Sequence, residues 1–153
     1  MRPPCGAPAK AGRGLFATAL LERLPHLPVE EEGRLGDALL RDNFVERVFA
    51  YRRLRSFLDG RFTTGDLVAF HTAHKLQLMA HSPKAYAELG RLVAEAKGLP
   101  RAELRQRYEQ GFMDAMRVLA TARRHVNVLE HMLGYFKKRL PDEDRLELLS
   151  VIA

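Results

Sequence analysis

Cysteine is almost absent: Cys5 is the only thiol in 153 residues. That excludes an internal disulfide and any iron–sulfur cluster held wholly by this chain's own thiolates. No apolar run approaches the ~20 residues that cross a bilayer as a helix, so no membrane partner is expected. The N-terminus, MRPPCGAPAKAGRG, lacks the apolar core of a secretory signal, which makes the cytoplasm the expected compartment. Signatures of common chemistry are missing too. There is no Gly-x-Ser-x-Gly elbow and no Glu-x-x-His pair of the di-iron bundle type. The AGRG at 11–14 is too short, and too poorly framed by strand and helix, to be a phosphate loop. Sustained two-residue alternation is lacking, which removes a β-sheet from expectation.

What remains is apolar enough to fold and markedly basic. Hydrophobic residues make up 46% and charged residues 29%, a globular balance in a chain of one-domain length. The net charge of +6 is unevenly placed. Segment 101–139 carries nine Arg/Lys against four Asp/Glu, whereas 140–153 carries one against four. A basic stretch closed by an acidic one implies a directed electrostatic surface, with a merely well-solvated basic helix as the plainer reading.

Residues 1–36 hold five of the eight prolines and five of the eleven glycines. They read as irregular chain around one short helical run, Leu15 to Leu24. From Asp37 onward the periodicity is helical. Leu40, Phe44, Val48 (or Val45), Tyr51, Leu54 and Leu58 recur at three- and four-residue spacing up to Asp59-Gly60. Thr63 or Thr64 can cap a second helix running to about His81. Ser82-Pro83 starts a third, ending at Lys97-Gly98. Pro100 opens a long stretch to about Leu140, with a break expected near Gly111 or Gly134, and Pro141-Asp142 starts the last helix. The expected fold is therefore all-α, a bundle of about five to six helices with an irregular Pro/Gly-rich N-terminal segment. The chain stops at LLSVIA inside a helical pattern without a cap, so a truncated polypeptide is expected.

Two stretches concentrate chemistry. FHTAHKLQLMAHSPKAY (70–86) holds His71, His74 and His81 beside Lys75, Ser82, Lys84 and Tyr86. On a helical wheel His74 and His81 follow an apolar seam with Leu67, Phe70 and Leu78, while His71 and Lys75 sit on its flank. Histidines three apart can share a metal ion. No carboxylate occupies the adjoining turn, however, and Lys75 would repel a cation. ATARRHVNVLEHMLGYFKKRL (120–140) gives an apolar stripe of Val118, Ala122, Leu129, Met132 and Phe136 that includes His125, which is expected as a hydrogen-bonded core residue. Asn127, His131 and Lys138 share another face, with Arg124 at its margin. Gly134 costs helix stability by about 1 kcal/mol, which implies a close approach of backbone or ligand. An amide, an imidazole and a cation together suit phosphate or base-edge contact better than bond cleavage. A polar seam between two helices is the equal alternative.

FHTAHKLQLMAHSPKAYAELGRLVA followed by ATARRHVNVLEHMLGYFKKRL resembles the YbgA-like family, a helical domain of unknown function. The likeness covers residues 44–153. The preceding GRGLFATALLERLPHLPVEEEGRLGDALLRDNFVERVFAY resembles the C-terminal end of the TudS-like thiouracil desulfidase domain, so residues 1–43 are read as its remnant. The resemblance implies a helical tRNA-binding part of a fusion that removes sulfur from thiolated uridine in tRNA. The [4Fe–4S] cluster is expected only in full-length relatives, because the family's last cluster cysteine sits in a Ser-Pro-Ser-Cys-Gly context absent here; the ligand role does not pass to Cys5. No cofactor and no catalysis by this chain alone are expected. Lys75, Lys84, Arg123, Arg124, Lys137 and Lys138 would hold phosphates. His71, His81, Asn127, His131 and Tyr135 would place the strand or a base, with His74, Ser82 and Tyr86 in the same wall. Two other classes stay open: a metal protein or enzyme in which His71, His74 and His131 converge, and a docking module for a separate desulfidase domain.

Overall fold

The computed structural model describes residues 14–152; Cys5 and most of the AGRG stretch lie outside the described residues. Eight α-helices follow one another: α1 (Leu15–Arg23), α2 (Ala38–Leu58), α3 (Thr64–Ala73), α4 (Lys75–His81), α5 (Pro83–Ala94), α6 (Arg101–Arg117), α7 (Ala122–Phe136) and α8 (Asp142–Ile152). Short 3-10 turns at Glu32–Gly36 and Ala96–Gly98 punctuate them, and no strand occurs among the described residues.

Helix starts follow capping chemistry that is local in sequence. The Asp37 carboxylate accepts from Leu40 N–H at 3.0 Å. Thr63 and Asp66 form a reciprocal capping box, with bonds of 3.1 and 2.7 Å that satisfy two donors at the start of α3. Ser82 accepts from Ala85 N–H at 3.2 Å with Pro83 in the first turn. Thr121 does the same for α7.

Eight helices exceed the expected five to six because two long stretches are broken. At His74 the backbone leaves the helical region (φ −100°, ψ 8°), and the His74 Nδ1 sits 2.8 Å from the Phe70 carbonyl oxygen. A side chain competing for the backbone acceptor four residues back loosens a helix at that point. The other break falls at 118–121, where Val118 turns extended (φ −76°, ψ 125°). It does not fall at Gly111 or Gly134, both of which lie inside helices. The carbonyls released by this break are satisfied from a distance. His81 Nδ1 reaches Val118 O at 2.6 Å, and the Arg124 guanidinium donates to Leu119 O at 3.2 Å.

The core lies where α2, α5 and α6 meet, with α3 and α4 closing it. Ala50, Leu54 and Leu58 of α2 pack with Leu104, Tyr108, Phe112 and Met116 of α6. In α2 the expected stripe is half right. Leu54 and Leu58 are buried, but Val45 and Val48 are exposed, and Asn43 enters the interior, donating to Met116 O at 3.2 Å. Stacked rings brace α3: Phe70 lies on Phe57 at 4.5 Å and on His74 at 4.1 Å. A smaller cluster of Met79, Ala80 and Val128 joins α4 to α7. α8 packs on α7 and buries no residue of its own.

Gly134 is exposed, and nothing lies within 4 Å of the position a Cβ would take. Among the described residues no other part of the chain approaches it, contrary to one expectation for this glycine. Gly134→Ala should therefore raise unfolding free energy by about 0.5–1 kcal/mol through helix propensity alone. Urea unfolding checks this, and a destabilised variant would show that the position is crowded.

Candidate nucleic-acid interface

The wall expected from α3, α4 and α7 divides into an interior part and an exposed part. His71 is only 8% exposed. Its Nδ1 lies 3.2 Å from the Tyr108 hydroxyl, and its ring stacks on Tyr86 at 5.2 Å, nearly parallel. Burial, helped by the nearby His74, holds its pKa below the usual histidine value. Burial likewise lowers His74, outweighing the Phe70 carbonyl that favours its charged form. Tyr108 is pushed up by burial. Burial thus favours the neutral form of these two histidines, and His71 packs in the interior instead of facing outward as expected.

His81 is more deeply buried, at 1% exposure, and carries the opposite sign. Its Nδ1 bonds the Val118 carbonyl, and its Nε2 lies 3.0 Å from Glu46 Oε2, off the axis of a linear hydrogen bond. Burial acts to lower its pKa, but the Glu46 carboxylate and the Val118 carbonyl outweigh it and raise the pKa. Hydrogen bonding to His81 correspondingly lowers Glu46, which also accepts from Gln77 at 3.0 Å. Arg124 completes the knot by donating to His81 O at 2.7 Å. Both His81 and Arg124, expected over bases and phosphates, are instead the clamp that ties α4, α2 and the 118–121 linker together. Ser82 is the helix cap described above.

The exposed part lies mostly along α7. Arg123, His131, Tyr135, Lys137 and Lys138 are exposed, and Asn127 is half-buried. Among the described residues Arg123, Lys137 and Lys138 make no ion pair. Lys75 Nζ donates to the Tyr135 hydroxyl at 3.2 Å, and that bond holds its pKa above the ordinary lysine value. Tyr135, 62% exposed, is thereby tethered with its ring toward solvent beside a cation. Lys84 stands on α5 with Glu88 at 3.9 Å. His125, expected in the core, is exposed. So are Leu129, Met132 and Phe136, because α7 turns Val128 and Leu133 inward instead.

A three-histidine metal centre is not assembled: no group of three or more His, Cys, Asp or Glu side chains converges among the described residues. His71 and His74 are committed to Tyr108 and Phe70, and His131 faces out on α7. Sequence reasoning missed Glu46, Gln77, Arg47 and Arg117. Nothing local marks a lone charge within α2 as the partner of a histidine 35 positions later.

A family model described as "Protein of unknown function (DUF1722)" matches residues 75–153, which include most of the α4 and α7 residues above. "Uncharacterized protein YbgA" of Escherichia coli (strain K12) is 30% identical over 112 residues, covering 72% of this chain and 66% of that protein. The chain thus spans just under two thirds of that relative's length. No solved structure matches it.

Proposed function

The chain belongs to the YbgA-like family of DUF1722 proteins, and from that premise we propose that it is an RNA-binding helical domain serving desulfuration of thiolated uridine in tRNA. In this reading residues 1–43 are the tail of a TudS-like desulfidase domain, residues 44–153 are the binding part, and catalysis belongs to the iron–sulfur domain of the fused relatives. One observation carries it: among the described residues Lys137 and Lys138 have no carboxylate partner and follow closely on the exposed Tyr135 ring that Lys75 holds in place, while Arg123, also without such a partner, stands at the other end of α7. Surface cations without partners keep their counterions and release them when a phosphate arrives. An exposed ring beside them offers a stacking platform to an unpaired base. The buried histidines take no part. Their role is to hold α4 and the linker so that α7 projects its basic side.

Charge reversal tests this. The Lys137→Glu/Lys138→Glu variant should lose most tRNA retention in a filter assay and lower the salt slope by about 2. Thiolated and unthiolated tRNA at two salt concentrations would tell general backbone binding from recognition of the modified base. Unchanged retention would sink the assignment.

A docking role has its own supporting observation. Leu129, Met132 and Phe136 recur at three- and four-residue spacing on α7 and are exposed, as is Leu146 of α8, which packs on it, and exposed apolar side chains on one helix face fit a protein partner. Capture of a desulfidase-like domain by RNA-free protein would favour this second reading.

A further inference from the structure

Arg47 has no place in the reading above, and its surroundings are unusual. It lies on α2, half-buried, facing a groove of about 620 Å³ that α2 and the end of α6 form with residues 14–34. Arg117, at the end of α6, lines the same groove, and both arginines also border an adjoining hollow of about 360 Å³. Arg117 is anchored: it pairs with Asp114 at 2.8 Å and donates to the Pro25 carbonyl. Arg47 is not. Its Nε is buried without a hydrogen-bond partner, and no carboxylate lies within ion-pair distance of it among the described residues. Glu30, the acid nearest in effect, is engaged with Arg34 at 3.2 Å.

Burial, and then the like charge of Arg117, pull the Arg47 pKa below the ordinary arginine value, and Glu30 offsets this only in part. A guanidinium remains charged in such a place, so folding holds a partly desolvated cation within the field of another cation. A half-buried donor without an acceptor is costly. The rest of the groove is mixed: Ala17, Leu21, Val29 and Leu40 form its apolar wall, while Glu30, Glu31, Arg34 and Asn43 line the other part, Glu30 being paired with Arg34. A concave hollow of a few hundred Å³ that sets polar groups beside an apolar wall is a usual form of a small-molecule site.

We propose that this groove binds a small organic anion, its phosphate or carboxylate held between Arg47 and Arg117 and its apolar body against Ala17, Leu21 and Val29. The planar donor fork of arginine matches both anions, with two parallel N–H bonds to two oxygens. The site is separate from the α7 surface and does not depend on RNA binding.

The probes are phenyl phosphate, phenylacetate, inorganic phosphate and neutral benzyl alcohol, titrated into the full chain by calorimetry and by NMR. At least one aromatic anion should bind saturably, inorganic phosphate more weakly, and benzyl alcohol not at all. Arg47→Gln should fold normally, since it removes an unpaired charge, and should weaken the anion by about tenfold or more. Arg47→Lys, which keeps the charge and loses the fork, should recover only part of that loss. The Lys137→Glu/Lys138→Glu variant should bind like the unaltered chain. The proposal fails if neither anion saturates, if benzyl alcohol binds as well, if Arg47→Gln binds unchanged, or if the α7 variant loses binding.

Discussion

His81→Gln should cost about 2–3 kcal/mol of unfolding free energy near pH 6, with the loss shrinking as the solution becomes alkaline. The variant removes the ring whose Nδ1 bonds the Val118 carbonyl and whose Nε2 lies beside the Glu46 carboxylate. Breaking a buried ion pair costs more than this as a rule, but Glu46 is 39% exposed and water screens part of the effect. The pH dependence follows from the two shifts. His81 lies above its ordinary 6.5 when folded, so its contribution is complete below 6.5 and disappears as pH rises through the folded value. Glu46 lies below its ordinary 4.5, so its contribution is present above 4.5 and disappears as pH falls through the folded value. Between these limits both hold. His71 and His74, lowered from 6.5, act in the opposite direction and remove stability as the pH falls below 6.5. The unaltered chain should therefore show a shallow profile near pH 6, and the difference between it and His81→Gln isolates the clamp. Urea unfolding of both proteins at about pH 5.5 and pH 9 makes the comparison. A difference that is equal at the two pH values would mean that His81 is neutral in the fold.

Phe112→Ala should cost more, about 3–5 kcal/mol, because it deletes a fully buried ring at the centre of the molecule. Phe112 contacts Phe70 at 5.7 Å and the edge of His74 at 5.5 Å, and it lies 6.1 Å from Tyr108. Those neighbours come from α3, its junction with α4, and α6, and Phe70 is itself stacked on Phe57, which limits how far they can close the gap. For a chain of this length the loss corresponds to a fall of about 10 °C or more in Tm. Calorimetry with near-ultraviolet circular dichroism would show it, and a fall of only a degree or two would mean that the α3–α6 aromatic contact carries little of the stability.

The helical class and most helix starts were legible because the signals are local. Asp37, Thr63 and Ser82 each bond an N–H three residues on, and Pro83 and Pro141 mark starts by their missing donors; the start capped by Thr121 uses the same chemistry but was not expected. The basic, exposed character of Lys137 and Lys138 was legible for the same reason. The sides of α7 were not. Its apolar stripe and its polar side are similar in width, and the choice of inward side rests with Met79 and Ala80 of α4, which meet Val128. Neither glycine in the long C-terminal stretch broke the helix. The break came at 118–121, where His81 and Arg124 satisfy the carbonyls that a continuous helix would have used.

By itself, then, the amino-acid order determined an all-helical chain, its capped starts, its excess of cations and its membership in the YbgA-like family. Periodicity, capping and net charge act over a few residues or are sums, so they need no partner. Tertiary structure alone decided that burial favours the neutral form of His71 and His74 while Glu46 favours the charged form of His81, that Arg124 serves the backbone while Lys137 and Lys138 face water, and that Arg47 and Arg117 line one groove. Those outcomes depend on desolvation and on charges brought together from helices 30 to 70 residues apart, and the dielectric around a side chain exists only once the helices have packed.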